Sequence, residues 1–317
     1  MATRTAERDP ANSNPVRQLA ASVSPSVVRI GRRGGRGCGF VLDDGLVVTN
    51  AHNLRDRTTQ VTFADGRAVQ ASLRGIDRDG DLVVLEVDTG DAPALAWSDD
   101  PVQLGDQVFS VVRLADGTRV TAGTVSSTDR SFRGPRGRRI TGALEHTAPL
   151  GRGSSGSPLV GADGRLVGIS TLRVGDGFSI ALAASAEVRA LVDQLRAGRS
   201  PERRMLGVAV APPHVSHRLR RSVGLPDRDG ALVRHVEADS PAHHAGLRSG
   251  DLITHAGGSE VSSADDLASA LDAVPAGADL RLHVVRGADE IDLLARFDDA
   301  GGGDAGAGGA AGERGEA

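Results

Sequence analysis

The segment Gly151-Arg-Gly-Ser-Ser-Gly-Ser-Pro-Leu-Val160 carries the residues best suited to chemistry. Apart from Arg152, its first seven residues are all Gly or Ser. A nucleophilic serine needs a backbone that approaches the scissile carbonyl closely, with amide N–H groups aimed at the developing oxyanion. Glycine permits both, because it accepts backbone angles closed to other residues. Taken alone, the segment reads equally well as a Gly/Ser turn between two strands. Two further segments add to it. Val47-Val-Thr-Asn-Ala-His52 places a histidine just past an apolar run, where a lone histidine is ordinarily structural. Gly75-Ile-Asp-Arg-Asp-Gly-Asp81-Leu-Val-Val-Leu places an aspartate at the mouth of the next one, where a lone aspartate is ordinarily a solvated turn residue. Together they supply a general base, a carboxylate to orient it and a nucleophile, in the order His, Asp, Ser. The chemistry requires all three to meet in space.

The elements around these residues read as short strands. From Ser22 to about Thr171, runs such as SVVRIG, CGFVLDDGLVVTN, DLVVLEV and DQVFSVV alternate with turn residues. Asp44-Gly45, Asp65-Gly66 and Asp163-Gly164 sit between apolar runs and predict hairpins. Many short strands at such spacing suggest antiparallel barrels or sandwiches. Between Ser185 and Gly198 the period changes. Val188, Leu191, Val192 and Leu195 fall on one helical stripe, with Ser185 as N-cap and Gly198 past the end. Residues 1–20 read as a flexible N-terminal tail, 21–198 as the first domain, 199–204 (RSPERR) as a linker, 205–298 as a second domain, and 299–317 as a disordered Gly/Ala-rich tail. The second domain shows five strand-like runs and two helices, a short one around Pro241–Leu247 and another over Ser263–Val274.

The motifs TNAHNL, DLVVLEV and GSSGSPLV resemble those of the chymotrypsin-fold serine proteases, specifically the HtrA/Deg family. The resemblance implies a mainly β fold, with a two-barrel chymotrypsin-like protease domain followed by a small α/β PDZ domain. It makes His52 the general base, Asp81 its orienter and Ser155 the nucleophile, with the amides of Gly153 and Ser155 as oxyanion hole. This chain departs from the family pattern in several places. Ser154 stands for the usual Asn, Ser157 for the second Gly, Thr147 and Arg152 where Asp and Pro are frequent, and Asn53 where an aliphatic residue is common. Proteases of this fold that cut after Arg or Lys carry an Asp six residues before the serine, where this chain has Pro149. The specificity pocket is therefore expected to be apolar, walled by Leu150–Gly153 and Ile169–Arg173, and to take small or medium aliphatic residues. The run S-P-A-H-H-A-G-L-R-S-G-D, residues 240–251, resembles a PDZ domain of the same family. By that resemblance Leu206, Gly207 and Val208 hold a terminal carboxylate, and the Ser263–Val274 helix walls the groove through Leu267 and Leu271. Those leucines also suit the core. PDZ domains take peptides as an added strand.

Composition bounds these readings. The chain has 317 residues, enough for about two domains. The net charge of −4 excludes a wholly basic nucleic-acid coat, and 39% hydrophobic residues exclude global disorder. Arginines cluster at 32, 33 and 36 and at 130–139; they read as solvated loops, and no nucleic acid is expected as a partner. Glycine is abundant, at 42 residues, and aromatics make up only 2%, so aliphatic side chains must fill the cores. Cys38 is the single cysteine, so no intrachain disulfide forms. The first twenty residues lack a secretory signal and no apolar run spans a bilayer, giving an expectation of a cytoplasmic chain. No cofactor or metal is expected. Asp77, Asp79 and Asp81 lack the glycine placement of a calcium loop, and His214, His217 and the His243–His244 pair read as solvated or core residues. His146 reads as core filler close to the Ser155 loop. The combined expectation is a serine endopeptidase of protein quality control, acting on unfolded proteins and peptides and gripping peptide C-termini with its PDZ domain. The alternative is a catalytically silent, protease-fold peptide binder or chaperone-like protein. Family members commonly form trimers through aromatic residues near the N-terminus. Residues 1–39 contain none, which leaves a homo-oligomer open.

Overall fold

Alternation of apolar side chains sets the architecture, because successive strand residues face opposite sides. In β3 (Leu46–Thr49) Val47 faces one core and Val48 another; in β6 (Leu82–Glu86) Val83 and Leu85 join the first, Leu82 and Val84 the second. Strands buried on both faces must lie between two packed layers. The computed structural model describes residues 14–32, 36–55, 57–135, 138–201, 204–275 and 277–297, and the chain divides after Pro201 into two units.

The first unit holds two closed antiparallel barrels. One is built from β1 (Val27–Ile30), β2 (Gly37–Asp43), β3, β4 (Thr58–Thr62), β5 (Ala68–Asp77) and β6, in the order β1-β2-β3-β6-β5-β4. The other joins β7 (Gln107–Leu114), β8 (Gly117–Arg133), β9 (Arg139–His146), β10 (Pro158–Val160), β11 (Leu166–Arg173) and β12 (Ser179–Ala183), in the order β10-β11-β12-β9-β8-β7. Closure leaves no unpaired sheet edge. A shared core of Phe40, Val48, Val84, Phe109, Val160 and Ile169, among others, draws on both barrels. The three Asp-Gly pairs fall at the β2–β3, β4–β5 and β10–β11 hairpins.

Two helices seal this core. α1 (Pro15–Val23) buries Leu19 and Val23, and the Asn14 side chain caps it by accepting from the amides of Val16 and Arg17. Its first turns lie in the stretch expected to be a loose tail. Pro at the first position and an Asn cap are helix-start signals that the polar composition obscured. α2 (Ala186–Arg196) is capped by Ser185 and buries Val192 and Leu195. It lies close to β5: a Cβ at Gly75 would collide with the Leu195 backbone, so only glycine fits there.

The second unit has a sheet ordered β13 (Val208–Val210), β14 (Ala231–Val236), β15 (Leu252–Ala256), β17 (Leu280–Arg286), β18 (Asp289–Ala295), with β16 (Ser259–Glu260) on β15. α4 (Pro241–His244) and α5 (Ala264–Asp272) answer the two expected helices, and Ser240 and Ser263 cap them. α3 (Pro213–Ser222) was not read from the sequence. Val215 and Leu219, one turn apart, pack on Leu232, Leu252 and Val285, but eight of its ten residues are polar or proline and hid that short stripe. Among the described residues, no helix is long and apolar enough to cross a membrane. The tail segments 1–13 and 299–317, part of the 199–204 linker, Arg33 and Arg136 lie outside the described residues.

Candidate active site

Strand register brings the base and its orienter together. Thr49 sits opposite Val83 in the β3–β6 pair, so the residues leaving β3 run beside those entering β6. The chain leaves β3 into a 3₁₀ turn, Ala51–Asn53, that presents His52. Asp81 occupies the position before β6 in the left-handed region, at φ 58. That conformation is disfavoured for a residue with a Cβ and persists only where its surroundings hold it. Here the surroundings are explicit. The Asp81 carbonyl accepts from the Ala51 amide (3.2 Å) and from Asn50 Nδ2 (3.0 Å). Its Oδ1 accepts from the His52 amide (3.0 Å), and its Oδ2 pairs with His52 Nδ1 (2.7 Å). Asp81 is 1% exposed, whereas the His52 side chain is 34% exposed, so the imidazole edge opposite Asp81 faces outward. A buried carboxylate on Nδ1 holds the proton there and leaves Nε2 as the basic nitrogen.

Ser155 comes from the other barrel, in the turn that leads into β10. Gly153 and Gly156 flank it with φ of +79 and +83. The turn is pinned by Gly156 N donating to Ser170 O (2.7 Å), Ser157 N to Ser154 O (2.9 Å) and Cys38 N to Ser155 O (2.8 Å). Among the described hydrogen bonds, neither the Gly153 nor the Ser155 amide donates to a protein acceptor.

Thr171, at the end of β11, joins the two halves and was not foreseen. Its Oγ1 donates to Asp81 Oδ2 (3.1 Å), and its carbonyl accepts from Ser155 Oγ (3.0 Å). A threonine in a strand carries no signal in sequence for such a role. Among the described hydrogen bonds none joins Ser155 Oγ to His52 Nε2, so the structure forms the His52–Asp81 half of the relay and turns the serine hydroxyl to Thr171. Hydrogen bonds of this kind commonly tighten only when substrate is bound.

A cleft of about 720 Å³ opens beside Ser155, with Leu150, Leu172, Val174 and Phe178 as its apolar walls and Arg173 as its charged residue. Leu150 and Thr171–Arg173 line it as expected. Residues 151–153, Ile169 and Ser170 do not; Ile169 and Ser170 are fully buried. Val174–Ser179, absent from the expectation, supplies the remaining wall as the β11–β12 connection folds over the cleft.

Two of the departures from the family pattern, Thr147 and Ser157, have local partners. Thr147 Oγ1 accepts from Thr124 N (2.9 Å), and Ser157 Oγ lies 3.3 Å from Ser110 Oγ. Arg152 is exposed, and Ser154 is buried with its hydroxyl unpartnered. Cys38 is buried next to Ser155, and desolvation pushes its thiol up to about 12. It stays protonated and does not compete as a nucleophile.

His146, in β9, is fully buried with both ring nitrogens unpartnered, and desolvation pushes its pKa down to about 4. Unfolded, it takes up a proton near its ordinary value of 6.5. The unfolded chain thus binds the proton first, and stability falls as pH drops from about 6.5 to about 4, by roughly 3 kcal/mol in total. Denaturation midpoints measured at pH 7 and pH 4.5 will differ accordingly. His146→Leu will flatten that difference, and an unchanged pH dependence in the variant would refute the assignment.

In the second unit Leu206 is 2% exposed and belongs to the core, its carbonyl accepting from Ala242 N (2.9 Å). Gly207 (φ +78) accepts from Glu237 N (2.8 Å), and Val208 begins β13, the edge strand. Leu267 is buried in the core, while Leu271 is only partly buried against it. Asp77 Oδ1 accepts from the amides of Asp79 and Gly80, and His217 is bonded to Asp227. Asp239 lies within 4.8 Å of both His243 and His244, ligand atom to ligand atom, a grouping the sequence did not suggest. All three are exposed, and His243 Nδ1 already accepts from the Asp239 amide (3.2 Å).

Comparison with known proteins defines the class. A trypsin-like peptidase domain matches residues 37–169 and a PDZ domain residues 205–295. A probable periplasmic serine endoprotease, DegP-like, from Halomonas elongata is 31% identical over 285 residues, spanning 87% of this chain and 59% of that protein. The mitochondrial serine protease HTRA2 of Drosophila willistoni is 31% identical over 277 residues, spanning 80% and 63%. Among solved structures, the serine endoprotease from Yersinia pestis superposes with a TM-score of 0.67 at 25% identity, over 91% of this chain and 98% of that one. The HtrA-type protease AlgW with tripeptide gives 0.64 at 26%, over 88% and 95%. The chain is therefore a trypsin-like peptidase domain followed by a PDZ domain. Within that class it is similar to the HtrA/Deg proteases: its relatives and structural neighbours are named as DegP-like, HTRA2 and HtrA-type proteases. It spans about three fifths of the length of these two relatives. The expectation of a cytoplasmic chain is overturned: the relatives are named as periplasmic and mitochondrial, and the start of this sequence is no guide to compartment.

Proposed function

We propose that this protein is a serine endopeptidase that hydrolyses unfolded or damaged polypeptides and recognises peptide segments or C-termini through its PDZ domain. The observation that carries the reading is the Asp81 carboxylate, buried and bonded at 2.7 Å to the Nδ1 of an outward-facing His52. Ser155 Oγ attacks the scissile carbonyl carbon while His52 Nε2 takes its proton. The amides of Gly153 and Ser155 hold the oxyanion. His52 then protonates the leaving amine, and water cleaves the acyl-enzyme through the same base. A single oxyanion donor is worth about 3–4 kcal/mol of barrier, so the shape of the 151–155 turn controls the rate.

The Leu206-Gly207-Val208 segment is suited to a terminal carboxylate, because β13 is an edge strand that can accept an added one. Leu271, half-buried on α5, fits the groove better than Leu267, which the core already occupies. The catalytically silent alternative is favoured by one observation, the Ser155 hydroxyl turned to Thr171 O.

Digestion of an unfolded protein with mapping of the cut sites tests the reading. The apolar cleft predicts cleavage after Ala, Val, Ile or Leu. A preference for Arg at that position contradicts the cleft assignment.

A further inference from the structure

The family motifs account for the Ser155 hydroxyl and the oxyanion amides. They leave open how the Ser155 backbone is held against the His52 turn, which belongs to the other barrel. We propose that Asn53 is a positioning residue that locks the two together. The inference rests on the reading of Ser155 as nucleophile and His52 as base.

Asn53 is the last residue of the 3₁₀ turn that carries His52, and it is 1% exposed. Its Nδ2 donates to Ser155 O (2.9 Å) and to Thr49 Oγ1 (2.9 Å). Thr49 Oγ1 donates to Cys38 O (2.5 Å), and Cys38 N donates to Ser155 O (2.8 Å). The four residues form a closed ring of hydrogen bonds from one barrel to the backbone of the other. The amide orientation is fixed by its partners: Ser155 O can only accept, and the Thr49 proton is spent on Cys38, so the NH₂ group must face them.

Two further observations mark the ring as built rather than incidental. A Cβ at Gly37 would fall on the Asn53 amide, and one at Gly156 would fall on Cys38 O and Thr49 Oγ1, so two glycines make room for it. Asn53 Oδ1 is buried with no hydrogen-bond partner, a standing cost that an apolar residue of the same volume would avoid. The polar side chain is retained for the two bonds its nitrogen makes.

The consequence is geometric. With two donors on its carbonyl, and with Gly156 N held by Ser170 O (2.7 Å), the peptide after Ser155 cannot rotate. That holds the Ser155 backbone from which Oγ projects in place against the turn that carries His52. A displacement of about 1 Å at a reacting group costs on the order of a hundredfold in rate.

The test uses the full chain with Asn53→Leu, which keeps the volume and loses both donors, and Asn53→Asp, which keeps the shape and cannot donate when ionised. Backbone hydrogen exchange of the 151–157 segment and of Cys38 is followed by mass spectrometry, alongside the rate of modification by a fluorophosphonate. Folding of each variant is checked by circular dichroism. In wild-type protein the Asn53 side-chain NH₂ protons, read by NMR, are expected to exchange slowly. We expect the hydrogen-bonded amides of Gly156, Ser157 and Cys38 to exchange at least about tenfold faster in both variants, the modification rate and kcat to fall about 10- to 100-fold, and KM to stay within about twofold. Unchanged exchange in the variants, or rapidly exchanging NH₂ protons in the wild type, overturns the proposal. Faster exchange with an unchanged modification rate overturns its catalytic part. A wild-type protein that is never modified counts against the protease reading itself, and the exchange measurement then still decides whether Asn53 anchors the turn.

Discussion

Ser155→Ala removes hydrolysis of an unfolded protein substrate, with kcat down on the order of a millionfold, as for loss of the nucleophile in other triad enzymes. The fold survives. Ser155 Oγ makes one hydrogen bond, to Thr171 O, and losing it costs about 1 kcal/mol. Thr171 lines the cleft, so its carbonyl lies at the cleft wall. Circular dichroism and the denaturation midpoint therefore stay near wild type while turnover disappears. The substitution lies outside the PDZ domain, so on the proposed reading the variant is expected still to retain unfolded protein on a column. A variant that cut the substrate at the wild-type rate would move the chemistry elsewhere.

Asp81→Asn has the next largest effect, a fall in kcat of about ten-thousandfold with KM little changed. The backbone is not what changes, because Asn tolerates the left-handed conformation as readily as Asp. What changes is the proton. The carboxylate accepts the His52 amide on Oδ1, and accepts His52 Nδ1 and Thr171 Oγ1 on Oδ2. An amide cannot accept at both atoms. Keeping its oxygen on the His52 amide puts NH₂ against Nδ1, which forces the imidazole proton onto Nε2 and abolishes its basicity. Steady-state kinetics on a peptide substrate measures this. A loss of less than about tenfold would show that Asp81 does not set the tautomer.

The three candidate catalytic residues were legible because each stands at the end of an apolar run, flanked by residues that such a run does not need. Their partners were not. Thr171 and Asn53 act through contacts between segments far apart in the chain, and Thr and Asn occur in strands and turns for many reasons. Asn53 was visible only as a departure from the family pattern, with no hint that it faced Ser155. The hairpins were legible from Asp-Gly pairs because the turn chemistry is local. α1 and α3 were hidden because each buries a short apolar stripe in a polar background: Leu19 and Val23 in one, Val215 and Leu219 in the other. The wall of the cleft from Val174 to Ser179 depends on where the β11–β12 connection folds, which composition does not encode.

The central claim is that His52, Asp81 and Ser155 act as one proton-relaying unit. The most direct measurement is the reaction of the native chain with a fluorophosphonate, followed by peptide mass spectrometry to find the modified residue. A single phosphonyl group on Ser155, with the reaction prevented by His52→Ala, is the predicted result. A chain that stays unmodified, or one modified elsewhere with Ser155 intact, contradicts it.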